Sequence, residues 1–525
     1  MHLDEVAGDA RGGNVARLFD ETARHHGDEL AVEAAGHELT HAELAAETAA
    51  FAGGLHERGF EPGDRLLLYL PNCPQYLVAA LGAFRAGVAV SPVNPQYKRR
   101  ELGYQLEDTD ASIVVTHPAL RSVVTETLAE TDRDPTVLSV GAPDGHHPDD
   151  VAFDAVRGDP VTVDCDPDDV ALLPYTSGTT GKPKGVQLTH RNFAAQLVSY
   201  LSSRDDEVAD TDVRSLCYLP LYHITGFTHV AMQPLVRGGA LYLRNPGDWS
   251  AETALSTIES EGITHFVGVT AMYVDMVGAD SFEDHDLSSL VRVSEGGAKM
   301  SVAVQERFEE VAEVSLTEGY GMTETTGATH SQRGSTFGPR HGTIGQPLRH
   351  TDCKVVDPSG AEVSPGEEGE LLVRGPQVMS GYHGMPEATA EAFTETGYLR
   401  TGDVARRDGD NYYEIVDRKK HVIVTAGYNV YPSEVEELLR EHEAVADAAV
   451  VGRDDDRRNE VPVAYVVAAP GTEPSESLAE TVRQFALDRV AEYKHPREVH
   501  FVEELPRTAS GKVQKYKLEE RADGA

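Results

Sequence analysis

Residues 175–186, YTSGTTGKPKGV, contain three glycines, three threonines, a serine and two lysines. Glycine lets backbone N–H groups turn toward an anion, while hydroxyls donate hydrogen bonds and lysines add positive charge. This composition predicts a phosphate-binding loop. The spacing does not fit a Walker loop, because Pro183 follows Lys182 and the segments on both sides have the pattern of strands. An ordinary hairpin turn is the alternative, since Gly and Thr are common turn residues.

The whole chain has the composition of a globular protein with more than one domain. It has 525 residues, 40% of them hydrophobic, with apolar segments spread along its length. The acidic start lacks the apolar core of a signal peptide, and the longest apolar stretch is too short and interrupted to span a bilayer. The four cysteines lie far apart and show no CxxC motif. We therefore expect a reduced, cytoplasmic protein with no membrane-spanning segment.

The charge balance is strongly acidic. Asp and Glu number 87 against 46 Lys and Arg, a formal net charge of -41, and 11 of the basic residues are lysines. An acidic surface poor in lysine is typical of halophile proteins, in which salt screens the self-repulsion. The same numbers disfavour nucleic-acid binding.

The pattern along the chain indicates alternating strands and helices. Residues 65–70, 74–87 and 88–95 read as strand, helix and strand, a βαβ unit that implies a parallel sheet covered by helices. Between about residues 342 and 414 short strands and turns indicate a small all-β section. Further on, Ser433 and Glu436 match a capping box for a helix that runs to about His442. The C-terminal hundred residues are enough for a compact domain.

Four further motifs follow the first loop. They are GGAKM (296–300), EGYGMTETTG (318–327), the segment 398–436 with YLRTGD, DRKKH and AGYN, and PRTASGKVQKYKL (506–518). Together the five motifs closely resemble, in order and spacing, those of the ANL superfamily of adenylate-forming enzymes, from about residue 14 to 518. The resemblance implies an α/β fold. A large N-terminal domain, residues 1–417, would hold two doubly wound α/β subdomains and a small β-barrel, and residues 418–525 would form a mobile α+β C-terminal domain.

The resemblance implies a reaction in two halves. A small-molecule carboxylic acid attacks the α-phosphate of ATP to give acyl-AMP and pyrophosphate, and a thiol such as that of coenzyme A then displaces AMP. Mg²⁺ is the expected metal, and an AMP-forming acid–thiol ligase is the expected enzyme class. The residues expected to hold the departing phosphates are Thr176, Ser177, Gly178, Thr179, Thr180, Gly181 and Lys184.

The same resemblance assigns the nucleotide site. Glu324 would ligate Mg²⁺, a hard cation that prefers oxygen, and Thr323 would touch the α-phosphate. Tyr320, next to Gly319, would cover the adenine face. Without the resemblance, Glu324 reads as an acid stabilised at a helix N-terminus. The residues expected at the edge of the adenine are Gly296, Gly297 and Ala298.

The C-terminal motifs receive roles in the same way. Asp403, in a turn after a strand, would accept hydrogen bonds from the ribose hydroxyls with help from Arg418. Lys512 would bridge the attacking carboxylate and the α-phosphate. Lys420 would be the hinge of a domain rotation between the half-reactions, and Gly427 would let the pantetheine arm of coenzyme A pass close to the backbone.

The acid is less well defined. Nonribosomal adenylation domains, which share the resemblance, have an Asp that pairs with the amino acid's ammonium group in the segment aligned with residues 219–227 (LPLYHITGF), and this sequence has no acid there. A plain carboxylic acid is therefore favoured over an amino acid, and free coenzyme A is the expected acceptor. Gly319 stands where acetate-specific relatives have tryptophan, which favours a larger acid. His223 would be a gate near the carboxylate, and Thr225 replaces a tyrosine of hydroxycinnamate ligases. The expectation is a medium- or long-chain fatty acid.

Several alternatives remain open at this point. An aryl-acid or hydroxycinnamate ligase and a ligase for a carrier protein share the same motifs. Luciferase-like oxygenation has no separate signature. A nucleotide-binding homologue without catalysis would show decay at Lys512, Glu324 or the Thr-rich loop, and none of these positions is altered.

Overall fold

The computed structural model describes residues 13–141, 147–176, 183–201, 212–296, 300, 302–425, 428–455, 457–507 and 512–523. Taking these residues, the chain forms two compact units. The first unit comprises the described parts of Met1–Ser177, Pro183–Asp352 and Val373–Gly397. The second comprises Cys353–Leu372 and the described part of Tyr398–Ala525. The predicted division at 417/418 is a different one and stays a prediction.

The first unit contains two large mixed sheets. In the first, the neighbouring strands in order are Gln346–Pro347, Gly327–Ser331, Leu316–Met322, Arg292–Gly296, His265–Gly268, Arg214–Cys217, Ala240–Leu243, Leu30–Ala34 and His37–Thr40. The central strands run parallel, and the strands at both ends are antiparallel to their neighbours.

The second large sheet contains the strands on both sides of the predicted phosphate loop. Its order is Gly381–Tyr382, Lys184–Thr189, Val170–Leu172, Ala89–Pro92, Arg65–Tyr69, Ile113–Thr116, Thr136–Ser139 and Val151–Ala152, and Tyr175–Thr176 also pairs with Lys184–Thr189. Arg65–Tyr69 and Ala89–Pro92 pair in parallel on either side of the helix Pro74–Arg85. The predicted βαβ unit is therefore confirmed.

Helices cover these sheets, as connections between parallel strands require. The α-helices of the first unit are Arg17–His26, His41–Glu57, Pro74–Arg85, Arg99–Thr109, Arg121–Leu128, His190–Leu201, Gln233–Val236, Ala251–Glu261, Thr270–Val277, Val302–Ala312 and Pro386–Ala392. Short 3₁₀ turns lie at Pro118–Leu120, Phe153–Ala155, Pro246–Asp248, Phe282–Asp284 and Thr323–Thr325. A π-helix, Thr225–Met232, leads directly into Gln233–Val236.

The second unit contains two smaller sheets. The strands Asp352–Val356, Glu368–Arg374, Leu399–Arg407 and Tyr413–Arg418 pair in that order and correspond to the predicted all-β section. The other sheet has the order Tyr428–Val430, Ile423–Thr425, Asn459–Ala468 and Val445–Asp455, with Glu498–Phe501 also paired to Asn459–Ala468. Its helices are Pro432–Arg440, Glu476–Leu487 and Lys515–Asp523, and a 3₁₀ turn lies at Lys419–His421.

The predicted capping box is wrong. The helix Pro432–Arg440 begins after Tyr431, so Ser433 lies inside its first turn instead of preceding it. The Ser433 hydroxyl is 2.6 Å from the Val416 carbonyl oxygen and 2.9 Å from Asp417 Oδ2. The Glu436 carboxylate accepts a hydrogen bond from the Val450 N–H (2.8 Å). Both side chains form hydrogen bonds with residues outside this helix, and a local sequence motif gives no information about such partners.

No helix within the described part of the chain combines the length and the apolar character needed to cross a membrane.

Candidate active site

The EGYGMTETTG motif forms a sharp turn between two strands at one edge of the first large sheet. Leu316–Met322 runs into the 3₁₀ turn Thr323–Thr325, and Gly327–Ser331 returns antiparallel to it. The Thr325 hydroxyl is 3.0 Å from the Met322 N–H and 2.6 Å from the Gly327 carbonyl oxygen, and the Thr326 hydroxyl donates to the Gln377 carbonyl oxygen (2.7 Å). The threonines of the motif thus fix the backbone on both sides of Glu324.

Glu324 is buried in this turn. Its Oε1 accepts a hydrogen bond from the Tyr382 hydroxyl (3.0 Å), and its carbonyl oxygen accepts one from the Met379 N–H (2.8 Å). A three-residue turn has too few aligned peptide groups to act as a helix N-terminus for an acid. The alternative reading of Glu324 as a helix-capping acid is therefore not supported.

His229, in the π-helix, forms a hydrogen bond with the backbone of the strand that follows the same turn. Its Nε2 accepts a hydrogen bond from the Ala328 N–H (2.9 Å). The other ring nitrogen, Nδ1, lies 3.1 Å from the Gln233 side-chain amide nitrogen. Burial, and next the charge of Arg292, lower the pKa of His229 to about 3, which keeps the ring neutral. π-Helical segments often occur at functional sites, and this one positions His229 next to the strand that follows the signature turn.

The two ends of the predicted phosphate loop pair with each other in antiparallel strands. Thr176 and Lys184 are direct partners in an antiparallel pair, and so are Tyr175 and Gly185. The Tyr175 hydroxyl lies 2.5 Å from Asp108 Oδ2, and burial, followed by the bond to Asp108, raises the pKa of Tyr175. Residues 177–182, which include Ser177, Gly178, Thr179, Thr180 and Gly181, lie outside the described residues. The described residues therefore include the two strands that flank the loop, and Lys184 lies on the second of them.

Lys184 contacts a residue that the sequence analysis did not identify. Its Nζ lies 4.6 Å from the centroid of the Tyr382 ring, and the Tyr382 hydroxyl is the one that bonds Glu324. Lys184 and Glu324, predicted separately as phosphate and metal ligands, are thus joined through a single aromatic side chain.

The described residues among the predicted adenine contacts lie on two paired parallel strands. Gly296 pairs with Gly319, and Tyr320 follows with its ring 5.9 Å, centroid to centroid, from that of His330. A Cβ added at Gly296 would meet no described protein atom within 4 Å, and one at Gly319 would meet the His330 carbonyl oxygen at 3.5 Å. The described protein atoms therefore leave room for a side chain at both positions. Gly297 and Ala298 lie outside the described residues.

His223 lies two residues before the π-helix Thr225–Met232, and its carbonyl oxygen accepts a hydrogen bond from the Phe227 N–H (3.0 Å). The preceding segment is held by Asn72. The Asn72 amide donates to the carbonyl oxygens of Leu219 and Arg244, both at 2.9 Å, and its Oδ1 accepts the Leu221 N–H at 2.8 Å. Asn72 therefore anchors the segment that carries His223.

In the second unit, Asp403 and Arg418 come together as the resemblance implied. They are cross-strand partners, and the Arg418 Nε is 2.6 Å from Asp403 Oδ1, with the Asp403 side chain 2% exposed. The expectation that Asp403 lies in a turn is wrong, because it sits in the middle of the strand Leu399–Arg407. Arg418 thus places an opposite charge next to a nearly buried carboxylate.

Positive charge gathers near this pair although the chain is strongly acidic. Burial, followed by the charges of Lys515, Lys420 and Arg418, lowers the pKa of His421 to about 3. Desolvation, and next the Arg418 charge, lower the pKa of Lys420 itself. Acids lie in the same cluster, since Glu519 and Asp403 act on Lys420 in the opposite direction and Lys515 forms an ion pair with Glu436.

Lys512 is exposed, in the second unit. The segment that carries it closes at its base, where Arg507 pairs with Val513 and the Gln514 N–H donates to the Pro506 carbonyl oxygen (2.7 Å). Gly427 lies outside the described residues, although the strands on either side of it pair, with Thr425 opposite Tyr428. The roles of Lys512, Lys420 and Gly427 stay predictions.

Sequence reasoning missed Tyr382, His229 and Asn72. His229 could have been noticed because it is a polar residue in the apolar segment FTHVAMQPLV. A polar side chain that is buried in such a segment needs a hydrogen-bond partner. Tyr382 had no such signal, because its partner is 58 positions away in the chain.

Comparison with known proteins identifies the chain's relatives. The AMP-binding enzyme family matches residues 19–383, and the AMP-binding enzyme C-terminal domain matches residues 434–512. The feruloyl-CoA synthase of Amycolatopsis sp is 36% identical over 493 residues, covering 94% of this chain and 95% of that protein. The long-chain-fatty-acid–CoA ligase of Bacillus subtilis (strain 168) is 33% identical over 533 residues, covering 95% and 93%.

Solved structures agree with these relatives. The anthranilate CoA ligase AuaEII in complex with anthranoyl-AMP superposes with a TM-score of 0.86 at 25% identity, covering 98% of both chains. The expected α/β fold with a separate C-terminal domain is thereby confirmed. The chain belongs to the AMP-binding enzyme family, within the ANL superfamily of adenylate-forming enzymes, as an AMP-forming acid–CoA ligase.

Proposed function

We propose that this ligase activates an aliphatic carboxylic acid of medium or long chain as acyl-AMP and transfers the acyl group to coenzyme A. The observation that carries the adenylation step is the joining of Lys184, Tyr382 and Glu324 at the signature turn. Adenylation depends on charge neutralisation and positioning more than on proton transfer, and this arrangement supplies both.

In the first half-reaction, residues 176–184 would hold the β- and γ-phosphates, and Thr323 the α-phosphate. Tyr320 would cover the adenine that lies against Gly319 and Gly296. Asp403 would accept hydrogen bonds from the ribose hydroxyls, and the ion pair with Arg418 would orient its carboxylate. Lys512 would contact the attacking carboxylate and the α-phosphate, where an ammonium on a flexible stem can follow both groups.

Glu324 fits the expected Mg²⁺. Magnesium in nucleotide sites is bound through one or two carboxylates together with phosphate oxygens and water, and Glu324 is a buried carboxylate with one oxygen fixed by Tyr382. When bound, the ion would neutralise the charge of the departing pyrophosphate.

In the second half-reaction, the thiol of coenzyme A attacks the acyl carbonyl carbon and AMP leaves. We propose Lys420 as the hinge and Gly427 as the position where the pantetheine arm passes the backbone. A carrier protein in place of free coenzyme A is the alternative acceptor.

An aromatic acid is the second candidate substrate. It is favoured by the relatives, since a feruloyl-CoA synthase is 36% identical and a long-chain-fatty-acid–CoA ligase 33% identical. The aliphatic acid is favoured by Thr225, which has no aromatic ring to stack on a phenyl group, and by the small Gly319. Apolar pockets discriminate weakly between chain lengths, so the exact acid needs an experiment.

The test is ATP–pyrophosphate exchange in molar KCl with acetate, a series of saturated fatty acids, benzoate, coumarate and ferulate. Each acid is assayed again for thioester in the presence of coenzyme A. Exchange and thioester with fatty acids alone are expected. Preference for ferulate or coumarate would replace the aliphatic proposal with the aromatic one. Exchange without thioester would indicate a carrier-protein acceptor, and no exchange with any acid would refute the proposed function.

A further inference from the structure

Tyr382 lies on a short segment that is tied to the signature turn by two bonds. Its hydroxyl donates to Glu324 Oε1 (3.0 Å), and three residues earlier the Met379 N–H donates to the Glu324 carbonyl oxygen (2.8 Å). The side chain and the backbone of Glu324 are therefore held by one segment.

The same segment is tied on its other side to the strand that leaves the phosphate loop. Tyr382 pairs with Val186, and the His383 N–H donates to the Gly185 carbonyl oxygen (2.8 Å). The Tyr382 ring lies under the Lys184 ammonium, 4.6 Å from Nζ to the ring centroid, a distance suited to a cation–π contact.

The chemistry of the Tyr382 hydroxyl suits a donor to a carboxylate. A phenol O–H is a hydrogen-bond donor, and the Tyr382 oxygen lies 3.0 Å from Glu324 Oε1, a carboxylate acceptor. A hydrogen bond to a charged acceptor is stronger than one between neutral groups, and it restricts the rotation of the carboxylate.

We propose that Tyr382 is a positioning residue that orients Glu324 toward the metal–ATP complex and couples that carboxylate to Lys184 on the exit strand of the phosphate loop. The inference rests on the proposed role of Glu324 as the Mg²⁺ ligand. Hydrogen-bond partners of metal ligands commonly set metal affinity, because they fix the orientation of the ligand.

The variant Tyr382→Phe removes the hydroxyl and keeps the ring beneath Lys184. Affinity for ATP is measured by isothermal titration calorimetry with and without Mg²⁺, and the Mg²⁺ midpoint of ATP–pyrophosphate exchange is measured separately. We expect Mg²⁺-free ATP affinity to be unchanged, and the Mg²⁺ midpoint to rise by roughly 10-fold. Tyr382→Leu also removes the ring and is expected to weaken Mg²⁺-free ATP binding by about threefold.

Tyr69→Phe is the matched control, because it removes a buried hydroxyl that donates to the Tyr97 carbonyl oxygen (2.7 Å) and lies outside the proposed site. It is expected to change neither ATP measurement. Glu324→Gln completes a double-mutant cycle: if Tyr382 acts through Glu324, Tyr382→Phe adds little when it is combined with Glu324→Gln.

The outcomes separate the two levels of the proposal. If Glu324→Gln raises the Mg²⁺ midpoint and Tyr382→Phe leaves it unchanged, the positioning role is overturned while the role of Glu324 stands. If Glu324→Gln also leaves the Mg²⁺ dependence unchanged, both are overturned. Additive effects of the two substitutions would likewise contradict action through Glu324.

Discussion

Replacing Gly327 by alanine tests how the signature turn is held in place. Gly327 has a φ of +118°, and a Cβ built on its backbone would lie 2.3 Å from His229 Nε2. That nitrogen accepts the Ala328 N–H. The substitution therefore imposes a backbone conformation that L-residues rarely adopt, and it must also displace the imidazole from its hydrogen bond.

The magnitude follows from these two effects. A residue held in a sparsely populated backbone region costs about 1–3 kcal/mol, and an unsatisfied buried N–H about 1–3 kcal/mol. We expect Gly327→Ala to lower the free energy of unfolding of the first unit by about 2–6 kcal/mol, and to reduce ATP–pyrophosphate exchange because Glu324 lies three positions away.

Gly36→Ala is the matched control. Gly36 has a φ of +80° and nothing within 4 Å of an added Cβ, so this variant carries the backbone strain without the clash. Both variants are unfolded in urea, and Gly327→Ala is also combined with His229→Ala. The clash cannot occur without the imidazole, so the double variant should be less destabilised than the sum of the single ones. Equal destabilisation by Gly327→Ala and Gly36→Ala, or strict additivity, would refute this reasoning.

Substrate affinity, pH and salt provide three further tests. Asn72→Ala removes two hydrogen bonds to the segment before His223 and one to the Arg244 carbonyl oxygen, and it should raise the KM for the acid more than the KM for ATP; equal effects in steady-state kinetics would contradict this. Burial lowers the pKa of His190 to about 4 and that of His229 to about 3. Between those values and about 6.5 the unfolded chain binds more protons, so unfolding should become easier as the pH falls from about 6.5 to about 4, and a flat profile from urea titrations would contradict it. Because salt screens the repulsion among the surface charges of a chain with a net charge of -41, the melting temperature should rise with KCl concentration. No rise up to molar KCl would show that this repulsion does not limit the stability of the folded protein.

Local pattern predicted most of the architecture. The βαβ unit could be predicted because the helix Pro74–Arg85 and the strands on either side of it in the chain each show regular spacing of apolar residues. The family motifs fixed which residues to examine, and the structure brings together Gly296 with Gly319, Thr176 with Lys184, and Asp403 with Arg418.

What the sequence could not predict was set by partners distant in the chain. Ser433 looked like a helix cap, but the Val416 carbonyl oxygen and the Asp417 carboxylate took its hydroxyl. Asp403 looked like a turn residue, but a register opposite Arg418 placed it within a strand. Tyr382 reaches Glu324 only because the second large sheet adds the segment beside the phosphate loop as an edge strand. Local propensity carries no information about such pairings.

The central proposal is that the ligase works in two half-reactions and that Lys512 serves the first of them. The most direct measurement compares the wild type with Lys512→Ala in two assays: acyl-AMP formation from acid and ATP, and thioester formation from supplied acyl-AMP and coenzyme A. The account predicts that the variant nearly loses acyl-AMP formation and largely keeps thioester formation. Equal loss in both assays would contradict it.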